Sequence, residues 1–202
     1  MIKKRRSIRL KGYDYSREGA YFVTICAQNR KCLFGEIVNG KMVLNDAGRM
    51  VESVWNEIPK YYPGIDIDVC QIMPNHIHGI VVIVGAGPCA CPDTGQPRNM
   101  GQPQGVAPTM SLSDVVHRFK TMTTKRYIDG VKQNGWPTFP GKLWQRNYYE
   151  HIIRDENELN RIREYIINNP AQWEFDRENP VGVKNFSPLQ SPKSNYPWKA
   201  GK

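Results

Sequence analysis

The stretch Gln71–Val84, QIMPNHIHGIVVIV, narrows what this chain can fold into more than any other. Its Ile, Val and Met residues read as a strand that buries apolar side chains, yet two histidines sit two residues apart within it. Side chains alternate across a strand, so His76 and His78 share one face while Ile77 takes the other. Two neutral imidazoles at that spacing can converge on one metal ion or on one phosphate. Two histidines on a solvated face fit the same pattern, so the rest of the chain must choose.

Lys and Arg outnumber Asp and Glu by 28 to 19, for a formal charge of +9 and a pI near 9.4. Such an excess favours a polyanionic partner, nucleic acid before a membrane surface. No run of 18 apolar residues exists, which excludes a transmembrane helix. The basic start MIKKRRSIRLKGYDYSR has no apolar stretch behind it and is not a secretory signal. Five irregularly spaced cysteines, Cys26, Cys32, Cys70, Cys89 and Cys91, argue for reduced thiols in a cytoplasm. The expectation is a soluble, basic, cytoplasmic protein of bacterial type.

The length of 202 residues suits one domain with loose ends. Residues 1–12 read as a basic flexible arm, residues 13–176 as the domain, and residues 177–202 as a disordered tail. Residues 85–108, rich in Gly and Pro, read as a long mobile loop, and its Cys89 and Cys91 lack the partners a zinc site needs. Ala20–Arg30 reads as a strand, and Asn39-Gly40 as the turn of a short hairpin. A helix follows, with Asp46 as its N-cap and Met50, Val51, Val54, Trp55 and Ile58 at helical spacing. IDIDVCQIM and HIHGIVVIV read as a strand pair joined at Pro74-Asn75.

The next helix opens at Ser111 or Ser113. It buries Leu112, Val115, Val116, Phe119, Met122 and Tyr127. Arg118, Lys120, Lys125 and Arg126 lie elsewhere on it, and the lack of acids between Asp114 and Asp129 favours a phosphate-facing surface over a merely solvated one. The stretch after it crowds aromatic and basic residues together: Trp144, Arg146, Tyr148, Tyr149 and Arg154 could stack on unpaired bases or meet phosphates. Asp155 with Glu158 resembles a capping box, and Leu159, Ile162 and Ile166 mark the apolar face of the last helix. Tyr165 and Asn169, four residues apart, share a face of it. Pro170 disfavours helical geometry at Asn169, which places that amide at a frayed helix end.

The blocks MPNHIHGIVVI and LWQRNYYEHIIRDENELNRIREYIINNP, in that order, resemble the single-tyrosine HUH transposases, and most of all their REP-associated branch (REP, repetitive extragenic palindrome). The likeness runs from about Tyr21 to Trp173, interrupted by the 85–108 loop. It implies an α+β fold, a central antiparallel sheet flanked by helices with a ferredoxin-like or RNA-recognition-like core. It implies His76 and His78 as metal ligands, Tyr165 as nucleophile, and Asn169 as the third ligand, with Asn168 the alternative. The implied activity is metal-dependent cleavage and rejoining of single-stranded DNA beside hairpins. Relatives act as monomers or as dimers exchanging tyrosine helices, and nothing in this chain decides between these.

The residues suit that chemistry without the family name. A tyrosine phenol can stay attached to the phosphate it attacks, so the bond energy is kept. An ion held by two imidazoles and one amide oxygen leaves open positions for phosphate, and mixed nitrogen and oxygen donors suit Mg²⁺ or Mn²⁺. Tyrosine ordinarily titrates near pH 10, so something must favour its phenolate; His151 is a candidate base. The chief rival is a catalytically silent, domesticated nucleic-acid-binding protein. An amidohydrolase barrel needs about 250 residues, and a Cys/His zinc module does not fit the cysteine spacing.

Overall fold

The computed structural model describes residues 10, 12–84 and 110–180. Most of the basic arm, the whole Gly/Pro-rich stretch with Cys89 and Cys91, and positions 181–202 lie outside the described residues.

The chain opens with β1 (Gly19–Cys26) and a hairpin of β2 (Gly35–Val38) and β3 (Lys41–Leu44). Asn39 and Gly40 turn that hairpin with φ of 51° and 71°, the left-handed pair that matches strand twist. Helix α1 (Asp46–Tyr61) leads to β4 (Ile65–Ile72) and β5 (His76–Ile83). Then follow α2 (Leu112–Asn134), β6 (Tyr149–Ile153) and α3 (Glu156–Asn168). The main sheet has the order β4-β5-β1-β6, with every neighbouring pair antiparallel. Leaving the β2–β3 hairpin aside, the order βαββαβ with this strand arrangement is the ferredoxin-like plan.

Alternation on β1 shows how the sheet is covered. Tyr21, Val23 and Ile25 join the core with Trp55 of α1 and Phe119 of α2, whose rings meet edge-to-face at 5.5 Å. Phe22 points the other way and packs with Ile80, Ile162 and Ile166 under α3. Both faces are therefore buried, and this is why β5 reads as an almost unbroken apolar run. Gly79 lies on the α1 side, where an added Cβ would sit 2.4 Å from the Trp55 ring.

Three local expectations need correction. Asn45, not Asp46, caps α1: its extended backbone lets Oδ1 accept the Gly48 N–H at 2.9 Å, while Asp46 pairs with Arg49 inside the first turn. Asp155 caps α3 by accepting the Glu158 N–H at 2.8 Å, but Glu158 does not return to the cap. Its carboxylate takes the Arg154 N–H and His151 Nε2 instead, both at 2.8 Å. The last expectation concerns Asn169, which keeps helical dihedrals (φ −59°, ψ −41°) despite Pro170. The chain tightens there into a 3-10 segment, Asn169–Phe175, which buries both residues. The pre-proline bias is modest, and burial outweighs it. At the second helix, Ser111 forms a full capping box with Asp114, deciding between the two serines.

Candidate metal centre and tyrosine helix

Strand register assembles the site. Thr24 lies opposite His78 and Cys26 opposite His76, all on the face that α3 covers. Both imidazoles are fully buried, and their Nε2 atoms stand 3.0 Å apart. Their outer nitrogens are held by different partners. His76 Nδ1 lies 2.8 Å from Asn75 Oδ1, and His78 Nδ1 lies 2.9 Å from the Thr24 hydroxyl. Asn75 Nδ2 donates to the carbonyls of Arg30 and Glu178, which fixes the amide so that Oδ1 accepts from His76. The His76 proton therefore sits on Nδ1, and the Nε2 lone pair faces His78. A hydroxyl can accept from His78 Nδ1 in the same way. Burial, assisted by the Arg30 charge, pushes the His76 pKa down to about 3, and burial drives His78 well below its usual range. Both rings are neutral near pH 7, the form that ligates metal.

A carboxylate that sequence reading did not single out completes the cluster. Asp176 Oδ2 lies 3.8 Å from His76 Nε2, and the ligand atoms of His76, His78 and Asp176 all fall within 4.8 Å of one another. Asp176 Oδ1 accepts the Glu178 N–H at 2.6 Å, whereas Oδ2 is buried with no hydrogen-bond partner. The Asn169 amide oxygen is likewise buried and unpartnered, while Asn168 is exposed. Buried polar atoms without partners are costly. A divalent cation would satisfy the Asp176 oxygen and both imidazole lone pairs, so His76, His78 and Asp176 could hold a metal ion.

The expected disordered tail is thus ordered at its start. Asp176 caps a turn whose Asn179 N–H it accepts at 3.1 Å, and Glu178 binds Arg30 Nε at 2.8 Å. The Trp173 ring lies 6.0 Å from that of His76. The Asn- and Pro-rich composition concealed these contacts because they are made by a few polar side chains, without apolar periodicity. An Asp three residues and a Glu one residue before Asn179 carry no distinctive spacing signal.

Tyr165 lies on the same side of the sheet. Its ring centroid is 5.3 Å from that of His78 at 62°, and 6.1 Å from that of Phe22. The buried Ile162 and Ile166 hold this face of α3 to the sheet. Arg163 adds a forked pair to Asp68 of β4, at 3.0 and 2.6 Å. His151 is engaged by the Glu158 carboxylate.

The nine candidate DNA-binding residues part company. Trp144 is buried, stacked on Phe34 at 5.1 Å with its indole N–H given to Thr123 Oγ1, so it is a core residue and no base platform. Its polar handle is satisfied inside, which frees the rest of the ring to be buried. Arg126 is forked onto Glu57 of α1 at 2.9 and 2.6 Å, so its carboxylate partner comes from the neighbouring helix. Lys120 binds the carbonyls of Gln145, Arg146 and Asn147 and lies 5.4 Å over the Tyr148 ring. The Arg118 guanidinium lies 6.0 Å from the Tyr62 ring. Lys125, Arg146 and Arg154 are exposed. Tyr149 lies beside the site, its ring 6.2 Å from Phe22.

A ferredoxin-like sheet thus carries paired buried histidines beside a tyrosine-bearing helix. The sequence pattern of IS200-like transposases matches residues 105–169. A Haemophilus influenzae protein of uncharacterized role is 44% identical over 179 residues, covering 87% of this chain and 93% of the relative. A second protein of that organism, provisionally named a REP-associated tyrosine transposase, is 25% identical over 162 residues, covering 79% and 74%. The solved structure of a REP-associated tyrosine transposase bound to a REP hairpin shares the fold, with a TM-score of 0.51 at 17% identity, over 82% of this chain and 74% of that one. The chain thus carries an IS200-like transposase sequence pattern and is similar to REP-associated tyrosine transposases.

Proposed function

We propose that this protein cleaves and rejoins single-stranded DNA beside hairpins through a 5′-phosphotyrosine intermediate. The observation that carries the reading is the convergence of His76 and His78 Nε2 at 3.0 Å directly beside the Tyr165 ring. His76, His78 and Asp176 would hold the ion, with the Asn169 amide oxygen as a further donor. A bound Mg²⁺ or Mn²⁺ would polarise the scissile phosphate and stabilise the departing 3′-oxygen.

The Tyr165 oxygen attacks phosphorus, the bond from phosphorus to the 3′-oxygen breaks, and that oxygen leaves as a hydroxyl after gaining a proton. The 5′ end stays on the tyrosine. A second 3′-hydroxyl then attacks the same phosphorus and releases the phenol, so strands are joined without ATP. The apolar wall of Phe22, Ile162 and Ile166 limits water around the tyrosine helix, which protects the adduct from hydrolysis. Exposed Lys125, Arg146 and Arg154 supply backbone contacts, and Tyr149 a stacking surface near the site. Arg118, Lys120, Arg126 and Tyr148 act from positions tied to the protein itself. The alternative, a silent nucleic-acid-binding protein, is disfavoured by a complete buried donor set. Incubation with a hairpin carrying a single-stranded flank, followed by denaturing electrophoresis, tests the proposal: a Mn²⁺-dependent covalent adduct is expected, and its absence would leave only binding.

A further inference from the structure

We propose that Asn75 is a positioning residue that orients the first histidine ligand and holds the acid-bearing C-terminal segment against it. The inference rests on the metal-centre reading above. Asn75 is completely buried, and its side chain bonds to three separate parts of the chain. Oδ1 accepts from His76 Nδ1 at 2.8 Å, and Nδ2 donates to the Glu178 carbonyl at 2.7 Å and the Arg30 carbonyl at 3.1 Å. Its own backbone is pinned, since its carbonyl accepts the Ala27 N–H at 2.8 Å.

These bonds close a circuit. His76 is bound to Asn75, Asn75 to Glu178, and the Glu178 N–H to Asp176 Oδ1, while Asp176 Oδ2 returns to within 3.8 Å of His76 Nε2. Arg30 also holds Glu178 directly, its Nε donating to Glu178 Oε2. It presents its carbonyl to Asn75 from a turn in which Asn29 and Arg30 both have left-handed φ, 58° and 54°. Such backbone is retained only where surrounding contacts over-determine it. A residue that merely filled space would need none of this. Only an amide offers an acceptor to an imidazole N–H and two donors to carbonyls at once; aspartate keeps the acceptor and loses both donors.

The test separates the two roles. In the parent, long-range ¹H–¹⁵N spectra should show His76 protonated on Nδ1; protonation on Nε2 would overturn the proposal without any variant. Asn75→Asp should keep that tautomer, yet amide exchange over residues 176–179 should quicken and Mn²⁺ should bind about tenfold or more weakly. Asn75→Leu should lose the tautomer preference as well. Parental exchange and parental Mn²⁺ affinity in Asn75→Asp would refute the coupling. A parent that binds no Mn²⁺ would sink the metal reading instead, while tautomer and exchange still decide the role of Asn75.

Discussion

His78 offers the most direct trial at the scale of single residues, because its Nε2 faces His76 while its ring packs on Phe22 and Tyr165. His78→Ala should abolish adduct formation, and saturating Mn²⁺, which stabilises the parent by binding the folded state, should no longer raise the melting temperature. A parent whose melting temperature ignores Mn²⁺ would remove the ion from the centre. Tyr165→Phe deletes one oxygen and keeps the ring beside His78 and Phe22. It should bind hairpin DNA and Mn²⁺ like the parent and form no denaturation-resistant adduct; surviving cleavage would point to water as nucleophile. The two histidines could be placed from sequence because strand alternation is a strict period of two. Asp176 could not, since only the folded turn of Trp173–Asn179 brings it beside His76.

Elements make a different demand, that of fit between surfaces. Gly79 is where β5 passes closest to the Trp55 ring of α1. Gly79→Ala should therefore destabilise the protein by about 1–3 kcal/mol through overpacking, measured by urea unfolding; an unchanged midpoint would mean that α1 yields easily. Asn45→Ala should cost about 1 kcal/mol by removing the cap that Gly48 uses, and Asp46→Ala clearly less. The first five strands and the three long helices were legible because each carries its own periodicity or turn chemistry, whereas β6 lay hidden in the aromatic and basic stretch before α3. The exact caps were not, because neighbouring Asn and Asp residues compete for the same role and backbone geometry chooses. Trp144 misled for a related reason: an aromatic beside arginines looks the same whether it faces solvent or Phe34.

For the molecule as a whole, charge, burial and assembly set the expectations. A hairpin with a single-stranded flank should bind more tightly than a blunt duplex of the same sequence. Reversing charge at Arg146 and Arg154 should weaken binding and flatten its salt dependence; equal affinity for the duplex would contradict this. Acid should unfold the protein through its buried histidines. Above about pH 6.5 they are neutral folded or unfolded. As pH falls toward about 3 the unfolded chain takes up protons that folded His76 refuses, so stability declines across that window. Asp176 opposes this trend at His78, where burial outweighs it. A melting temperature flat from pH 7 to 4 would show that the centre is wetter than its packing indicates. The fork between Arg163 and Asp68 moors the tyrosine helix to the sheet of its own chain, which also bears both histidines. A site completed within one chain predicts that two crippled copies do not rescue each other. A mixture of Tyr165→Phe and His78→Ala proteins should stay inert at every ratio, whereas helix exchange between chains would restore a fraction of active sites.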